Sequence, residues 1–319
     1  MMPVSSFGYV NRVKFLPLLS PIDHFYGSWV STRPWAISLK SKIMRKIFMV
    51  IFIVCFCPVM LFAQARGKIV KVVTLIEDTK INESKDIVSG HGLSLYIERN
   101  GQRILFDTGP SSQFIRNSEI LGIDIKKIDL VVISHAHMDH LGGLPFFLWI
   151  NKKATVYLSK NALKNQAFRA MCSKMDEGSF NRIRFVDKIS EIAQGIFIMT
   201  DIEERHPIRD RVDHEIILII KNNNKLIIFS GCSHNEILNI IETVTEAFPN
   251  FYINAVIGGF HLVGEDRDFV EKIGKEIIKY PFEKIYTCHC TGVENYRTLK
   301  TILGTKIEYI PTGSKFYLF

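Results

Sequence analysis

Residues 130–144 read LVVISHAHMDHLGGL, and what surrounds this stretch follows from how it is read. Residues 130–133 are continuously apolar and rich in β-branching, the pattern of a strand covered on both faces. Behind them come Ser134, His135, His137, Met138, Asp139 and His140, then Gly142 and Gly143. Three imidazoles and a carboxylate at the end of a buried strand are costly to desolvate without a partner. A divalent cation is the natural one, since imidazole nitrogen and carboxylate oxygen bind zinc at about 2.0–2.2 Å. In extended backbone His135 and His137 project to the same side and can hold one ion together. Asp139 and His140 lie past the bend, where they can face a second.

Upstream, residues 68–76 and 92–98 alternate or run apolar as strands, with Gly90-His91-Gly92 in the polar loop between them. His91 reads either as a surface-loop residue or as one brought to a site by its flanking glycines. Residues 103–107 are a short strand ending in Asp107-Thr108-Gly109, and residues 111–121 have helical spacing. Downstream, residues 154–158 are a strand. Residues 160–212 carry no clean period, so they read either as a surface excursion or as the place for substrate contacts.

Residues 214–220 and 225–229 form a hairpin around Asn222-Asn223-Asn224. Its second strand runs into Ser230-Gly231-Cys232-Ser233-His234, where Ser233-x-x-Glu236 has the form of a capping box for a helix with Ile237, Ile240, Ile241 and Val244. Residues 255–257 lead to Gly258-Gly259-Phe260-His261 and a further helix. Residues 284–287 lead to Cys288-His289-Cys290, and Thr291-x-x-Glu294 repeats the capping-box form. Four strand ends thus each deliver a histidine just ahead of a turn or helix, and ligand sites in α/β sheets gather at the carboxyl ends of strands. His234 is the third ligand expected beside His135 and His137. No internal repeat is visible.

HAHMDH matches the HxHxDH motif of the metallo-β-lactamase superfamily. Flavo-diiron members carry a glutamate where this chain has His137, so the resemblance is to hydrolytic zinc-type centres. It implies an α/β fold, the αββα four-layer sandwich, and six protein ligands for two ions. His135, His137 and His234 are then assigned to the first ion, and Asp139, His140 and His289 to the second. His261 is left over: it could replace His289, or serve as a catalytic acid or an oxyanion-stabilising group. Asp107 matches an aspartate that braces the metal-binding loop without binding metal. Cys232 either takes the bridging position that is an aspartate in many members or is a small buried side chain under the loop.

GHGLSLYIE, ILFDTG, LGIDI, SGCSH, GGFH and CHCTG, in that order over about residues 69–310, resemble more closely the branch of 7,8-dihydropterin-6-methyl-4-(β-D-ribofuranosyl)aminobenzene 5′-phosphate synthase-like proteins. Its named activity condenses a pterin diphosphate with an aminobenzene ribofuranosyl phosphate, in the cytoplasm. What the resemblance implies is a hydrolase or transferase with two divalent ions (zinc, with manganese or iron as alternatives) and a small-molecule substrate. A water shared by the ions, deprotonated near neutral pH, would attack an ester, amide or phosphoryl centre, with Asp139 binding the second ion and orienting the nucleophile. A different reading is an exported metal-dependent ligand-binding or sensing protein with little turnover, against which the full ligand set argues.

Residues ahead of the domain read differently. Met44-Arg45-Lys46, an apolar run over 47–62 and Ala63-Gln64-Ala65 make up a secretory signal peptide. The run is short for a membrane anchor and Pro58 interrupts it. Met44 then reads as the true start, residues 1–43 as upstream extension, 44–65 as a signal cleaved near Ala65, and 66–319 as one domain exported to the periplasm or medium. Membrane contact is confined to the uncleaved signal. The chain has 40 basic and 32 acidic residues, but seven basic residues and one acidic lie before residue 66. The near balance that remains gives no footprint for nucleic acid. Of six cysteines, Cys172, Cys232, Cys288 and Cys290 fall in the domain, three of them beside candidate histidines, which fits a metal neighbourhood better than a disulfide framework.

Overall fold

The apolar runs become strands within a few residues of their expected ends. The computed structural model describes residues 69–81 and 85–318; the expected signal peptide and upstream extension lie outside the described residues. In chain order the strands are β1 (Val70–Ile76), β2 (Ser94–Arg99), β3 (Gln102–Phe106), β4 (Leu130–Val132), β5 (Thr155–Ser159), β6 (Ile183–Val186), β7 (Ser190–Ala193), β8 (Ile196–Met199), β9 (Ile217–Asn222), β10 (Lys225–Ser230), β11 (Tyr252–Gly258), β12 (Phe282–Thr287), β13 (Ile307–Tyr309) and β14 (Lys315–Leu318). They form two sheets, ordered β14-β1-β2-β3-β4-β5-β6 and β13-β12-β11-β10-β9-β8-β7. Each sheet follows the same rule. Ladders from β14 to β3 are antiparallel and those from β3 to β6 parallel; ladders from β7 to β10 are antiparallel and those from β10 to β13 parallel. The fold is doubled although the sequence is not.

Alternation along the strands sorts their side chains into three apolar layers. Phe106, Val132, Ile220 and Phe229 point between the sheets. Val131 and Ile133 point the other way, onto Phe114, Leu144, Phe147 and Phe168. These come from α1 (Gln113–Ile120), α3 (Leu144–Ile150), which follows the single turn α2 (Met138–Leu141), and α4 (Gln166–Cys172). A further turn, α5 (Glu177–Phe180), follows. On the outer face of the second sheet, Ile228, Val256 and Ile285 meet Ile240, Val244, Val270 and Leu299, carried by α6 (Ile237–Ala247), α7 (Arg267–Ile277) and α8 (Val293–Leu303). The result is the helix-sheet-sheet-helix sandwich expected, with strands buried on both faces and hence continuously apolar. Among the described residues no helix is long and apolar enough to cross a membrane.

Three expectations need correction or sharpening. Residues 160–212 are not one irregular excursion: α4, α5 and β6–β8 punctuate the segment as pieces of four to seven residues, too short to display a period. The Ser233–Glu236 capping box does not form. Glu236 itself, at φ 65°, precedes α6, and the Ser233 hydroxyl instead bonds Ser230 Oγ at 2.9 Å and the Gly259 carbonyl at 2.7 Å. Nor does the box at Thr291–Glu294: Gly292 precedes α8 at φ 74°, while Thr291 Oγ1 accepts from the Phe260 N–H at 2.9 Å and pairs with Thr287 Oγ1 at 2.6 Å. Both hydroxyls tie one strand end to the next instead of capping a helix.

Phe229, fully buried and tilted against Phe106 with ring centroids 6.0 Å apart, joins the two sheets. Phe229→Ala is expected to lower stability by about 3–5 kcal/mol, read from the urea midpoint at unchanged slope.

Candidate metal centre

The parallel strands and β1 end at one edge of the sandwich, and the chemistry-bearing side chains sit on the turns that follow them. Asp107, after β3, is the first fixed point. It is fully buried, accepts the Ser134 N–H on Oδ1 at 2.6 Å and the Ser134 hydroxyl on Oδ2 at 2.7 Å, and faces His140 Nδ1 at 2.7 Å. These contacts tie it to both Ser134 and His140. Because the Ser134 proton goes to Asp107, Ser134 Oγ can only accept from His135 Nδ1, 2.9 Å away. His234 Nδ1 meets the Asp210 carbonyl at 3.0 Å, and His289 Nδ1 meets Asp78 Oδ1 at 2.8 Å. Carbonyl and carboxylate oxygens only accept, so all four rings carry their proton on Nδ1 when neutral.

Their Nε2 atoms therefore turn bare lone pairs on one another. His135 Nε2 and His234 Nε2 are 3.2 Å apart; His140 Nε2 and His289 Nε2 are also 3.2 Å apart. Lone pairs so placed repel, and a cation between them converts the repulsion into ligation. His137 Nδ1 lies 3.0 Å from His135 Nε2 and completes the first group. Asp139 Oδ2 lies 3.2 Å from His289 Nε2 and 3.5 Å from His140 Nε2 and completes the second. Cys232 Sγ is 3.1 Å from His140 Nε2 and within 4.8 Å of ligand atoms in both groups, so the thiol stands between them. These residues fit two divalent ions.

His261 does not take the place of His289. Its Nε2 is 3.1 Å from Asp210 Oδ2 and its ring centroid 4.3 Å from that of His234, on the flank of the first group. His91 reaches Asp78 Oδ2 at 3.3 Å while its side chain is mostly exposed, so it sits outside the second group on the carboxylate that orients His289. Four contributors were missed in the sequence: Asp78, Asp210, Glu215 and His214. Glu215 is buried and accepts the backbone N–H groups of His234 at 3.0 Å and Asn235 at 2.9 Å. Burial pushes its carboxyl up, against those bonds. His214 stacks parallel to His135 at 6.4 Å. Asp210 belongs to the irregular loop after β8, pinned by Arg209, which bonds Glu236 at 3.0 Å and lies over Phe269. Only Asp78 carried a usable signal, a carboxylate just after a strand, as Asp107 is.

Seven non-glycine residues among those described have positive φ, and Asp107, Ser233, Glu236, His261 and His289 are five of them. Left-handed backbone costs of order 1 kcal/mol or more per residue and persists where surrounding structure imposes it. Here the tight turns off neighbouring strands impose it. Space is equally short: a Cβ on Gly231 would lie 2.1 Å from Ser134 Oγ.

Burial, with the neighbouring His140, holds His135 well below the usual imidazole range. Burial and His261 bring His234 down to about 4. His289 goes the other way: burial opposes its charge, but hydrogen bonds to Asp139 and Asp78 hold it well above the ordinary value. Asp139 is held far below the carboxylate range, burial being overridden by the His289 bond and the nearby imidazoles.

Residues 88–220 match the model of the metallo-beta-lactamase superfamily. The chain is 32% identical over 265 residues to the 7,8-dihydropterin-6-methyl-4-(beta-D-ribofuranosyl)-aminobenzene-5'-phosphate synthase of Methanocaldococcus jannaschii, covering 71% of this chain and 90% of that one. It is 29% identical to an uncharacterized protein of the same organism, over 65% and 86% of the two chains. Among solved structures it is similar to Tm1679, described as a metal-dependent hydrolase of the beta-lactamase superfamily, with a TM-score of 0.63 at 30% identity over 77% of this chain and 98% of that one.

Two outcomes follow from the geometry. Asp107→Ala removes the orienting partner of His140 and is expected to weaken metal binding by about 10–100-fold, measured by competition with a chelating dye. Near neutral pH, an ion at the first group displaces no proton from His135 or His234, whereas one at the second displaces the proton of His289. Affinity for the second ion should therefore rise with pH until the raised His289 value is passed, with a proton released on binding in calorimetry, while affinity for the first stays nearly flat.

Proposed function

The chain belongs to the metallo-beta-lactamase superfamily, and from that premise we propose that it is a binuclear metal-dependent hydrolase or group-transfer enzyme acting on a small-molecule ester, amide or phosphoryl substrate. The observation that carries this reading is the confrontation of four Nδ1-protonated imidazoles through their Nε2 atoms. His135, His137 and His234 would hold one ion and Asp139, His140 and His289 the other, with Cys232 between them. Bound divalent ions, zinc or else manganese or iron, would supply a Lewis acid and lower the pKa of water.

The chain's own groups do the rest. Asp139 stays ionised and offers its carboxylate across the second group, where it can orient a nucleophile. Asp107, Ser134, Asp78 and the Asp210 carbonyl lock the imidazoles so that little reorganisation is needed when charge develops. Similarity to a protein named a synthase supports the group-transfer form, and similarity to Tm1679 the hydrolytic one. The signal expected at residues 44–65 would deliver the enzyme to the periplasm or the medium, without nucleic acid as a partner.

His137→Ala is the test. The variant should lose about one ion per chain and its turnover of phosphoesters, lactones or amides together, with the fold intact by circular dichroism. Retention of both ions would overturn the ligand assignment; retention of turnover without them would overturn the metal-dependent reading.

A further inference from the structure

Cys290 and His261 belong to neither histidine group, yet they meet at the centre's edge. The Cys232 Sγ, the Cys290 Sγ and a ring nitrogen of His261 all lie within 4.8 Å of one another. The cysteines are free thiols. The His261 backbone N–H donates to Cys290 Sγ at 3.3 Å, and a Cβ on Gly259 would come within 2.4 Å of that sulfur, so the backbone is drawn close around it. Two further features concern His261. It holds left-handed backbone at φ 50°, and its Nδ1 is buried without a hydrogen-bond partner, while Nε2 rests on Asp210 at 3.1 Å. A buried ring nitrogen left unpaired is costly, and here it accompanies two thiols.

We propose that Cys232, Cys290 and His261 form a third, thiolate-rich site for a thiophilic divalent ion such as zinc, sharing Cys232 with the binuclear centre. Two sulfurs and an imidazole nitrogen are the donor set of zinc-type sites, which take a fourth ligand from protein or water; the Asp210 carboxylate already contacts His261 Nε2 at 3.1 Å. Binding forms metal–sulfur bonds and releases the thiol protons to solvent. The metal is neither oxidised nor reduced. His261 becomes a ligand in place of the acid its sequence position suggested. This site rests on residues other than the histidine groups and stands or falls apart from them, except for the shared sulfur.

Titration of the reduced full chain with cadmium, followed by elemental mass spectrometry and the near-ultraviolet thiolate-to-metal band, tests it. The wild type should bind one ion more than Cys290→Ser, and the variant should lose about half of the band. Cadmium-113 resonance on the wild type gives an answer independent of how the variant folds: a signal in the thiolate-ligated region is expected, and it should persist in His137→Ala, which strips only the first group. Equal stoichiometry and equal bands in wild type and Cys290→Ser, or no such resonance, would overturn the proposal. So would isolation of the chain lighter by two hydrogens, with Cys232 and Cys290 joined as a disulfide.

Discussion

Everything at this edge of the sandwich depends on where four imidazole protons are. Each ring of His135, His140, His234 and His289 has an oxygen on its Nδ1 side that can only accept. Each is thereby obliged to show a bare Nε2 to the interior, where another bare Nε2 waits. With all four rings neutral, neither member of a pair can donate to the other, and the facing lone pairs repel. The arrangement is stable only with positive charge between the rings. In one group, hydrogen bonds to Asp139 and Asp78 push His289 towards its charged form against its burial; in the other, burial and neighbouring imidazoles push His135 and His234 towards their neutral forms.

The fold brings these rings together through the repeated order of its two sheets. In each, antiparallel ladders give way to parallel ones at a strand, β3 or β10, whose following turn carries part of the site: Asp107 after the first, Cys232 and His234 after the second. Parallel neighbours deliver the remaining groups in the same direction, His135 after β4, His261 after β11 and His289 after β12. Turns this abrupt force left-handed backbone on residues other than glycine. The strain is offset by the strand-end hydrogen bonds of Ser233 and Thr291, so those hydroxyls were unavailable to cap the helices.

This explains what could be read from the sequence. Apolar runs such as residues 130–133 and 217–220 were legible because both faces of their strands are buried, and HAHMDH was legible because its ligands are neighbours in the chain. Asp107 and His289 could be found because each follows a strand. Ser233 and Thr291 misled because a capping box and a strand-end tie use the same residue types, and only the neighbouring strand decides between them. Asp210 and Glu215 left no trace: Asp210 orients His234 with a backbone carbonyl, which every residue has, and Glu215 acts on backbone N–H groups across 19 and 20 residues.

The central claim, that cations reconcile the opposed Nε2 atoms, is tested most directly by the metal content of the wild-type chain. Purified without added metal or chelator, it should carry divalent ions by elemental mass spectrometry. Their removal should shift the imidazole resonances of His135 and His234 as a pair, because their Nε2 atoms face each other at 3.2 Å. A fully folded chain that carries no metal, takes up none when it is supplied, and shows those resonances unchanged would contradict the claim.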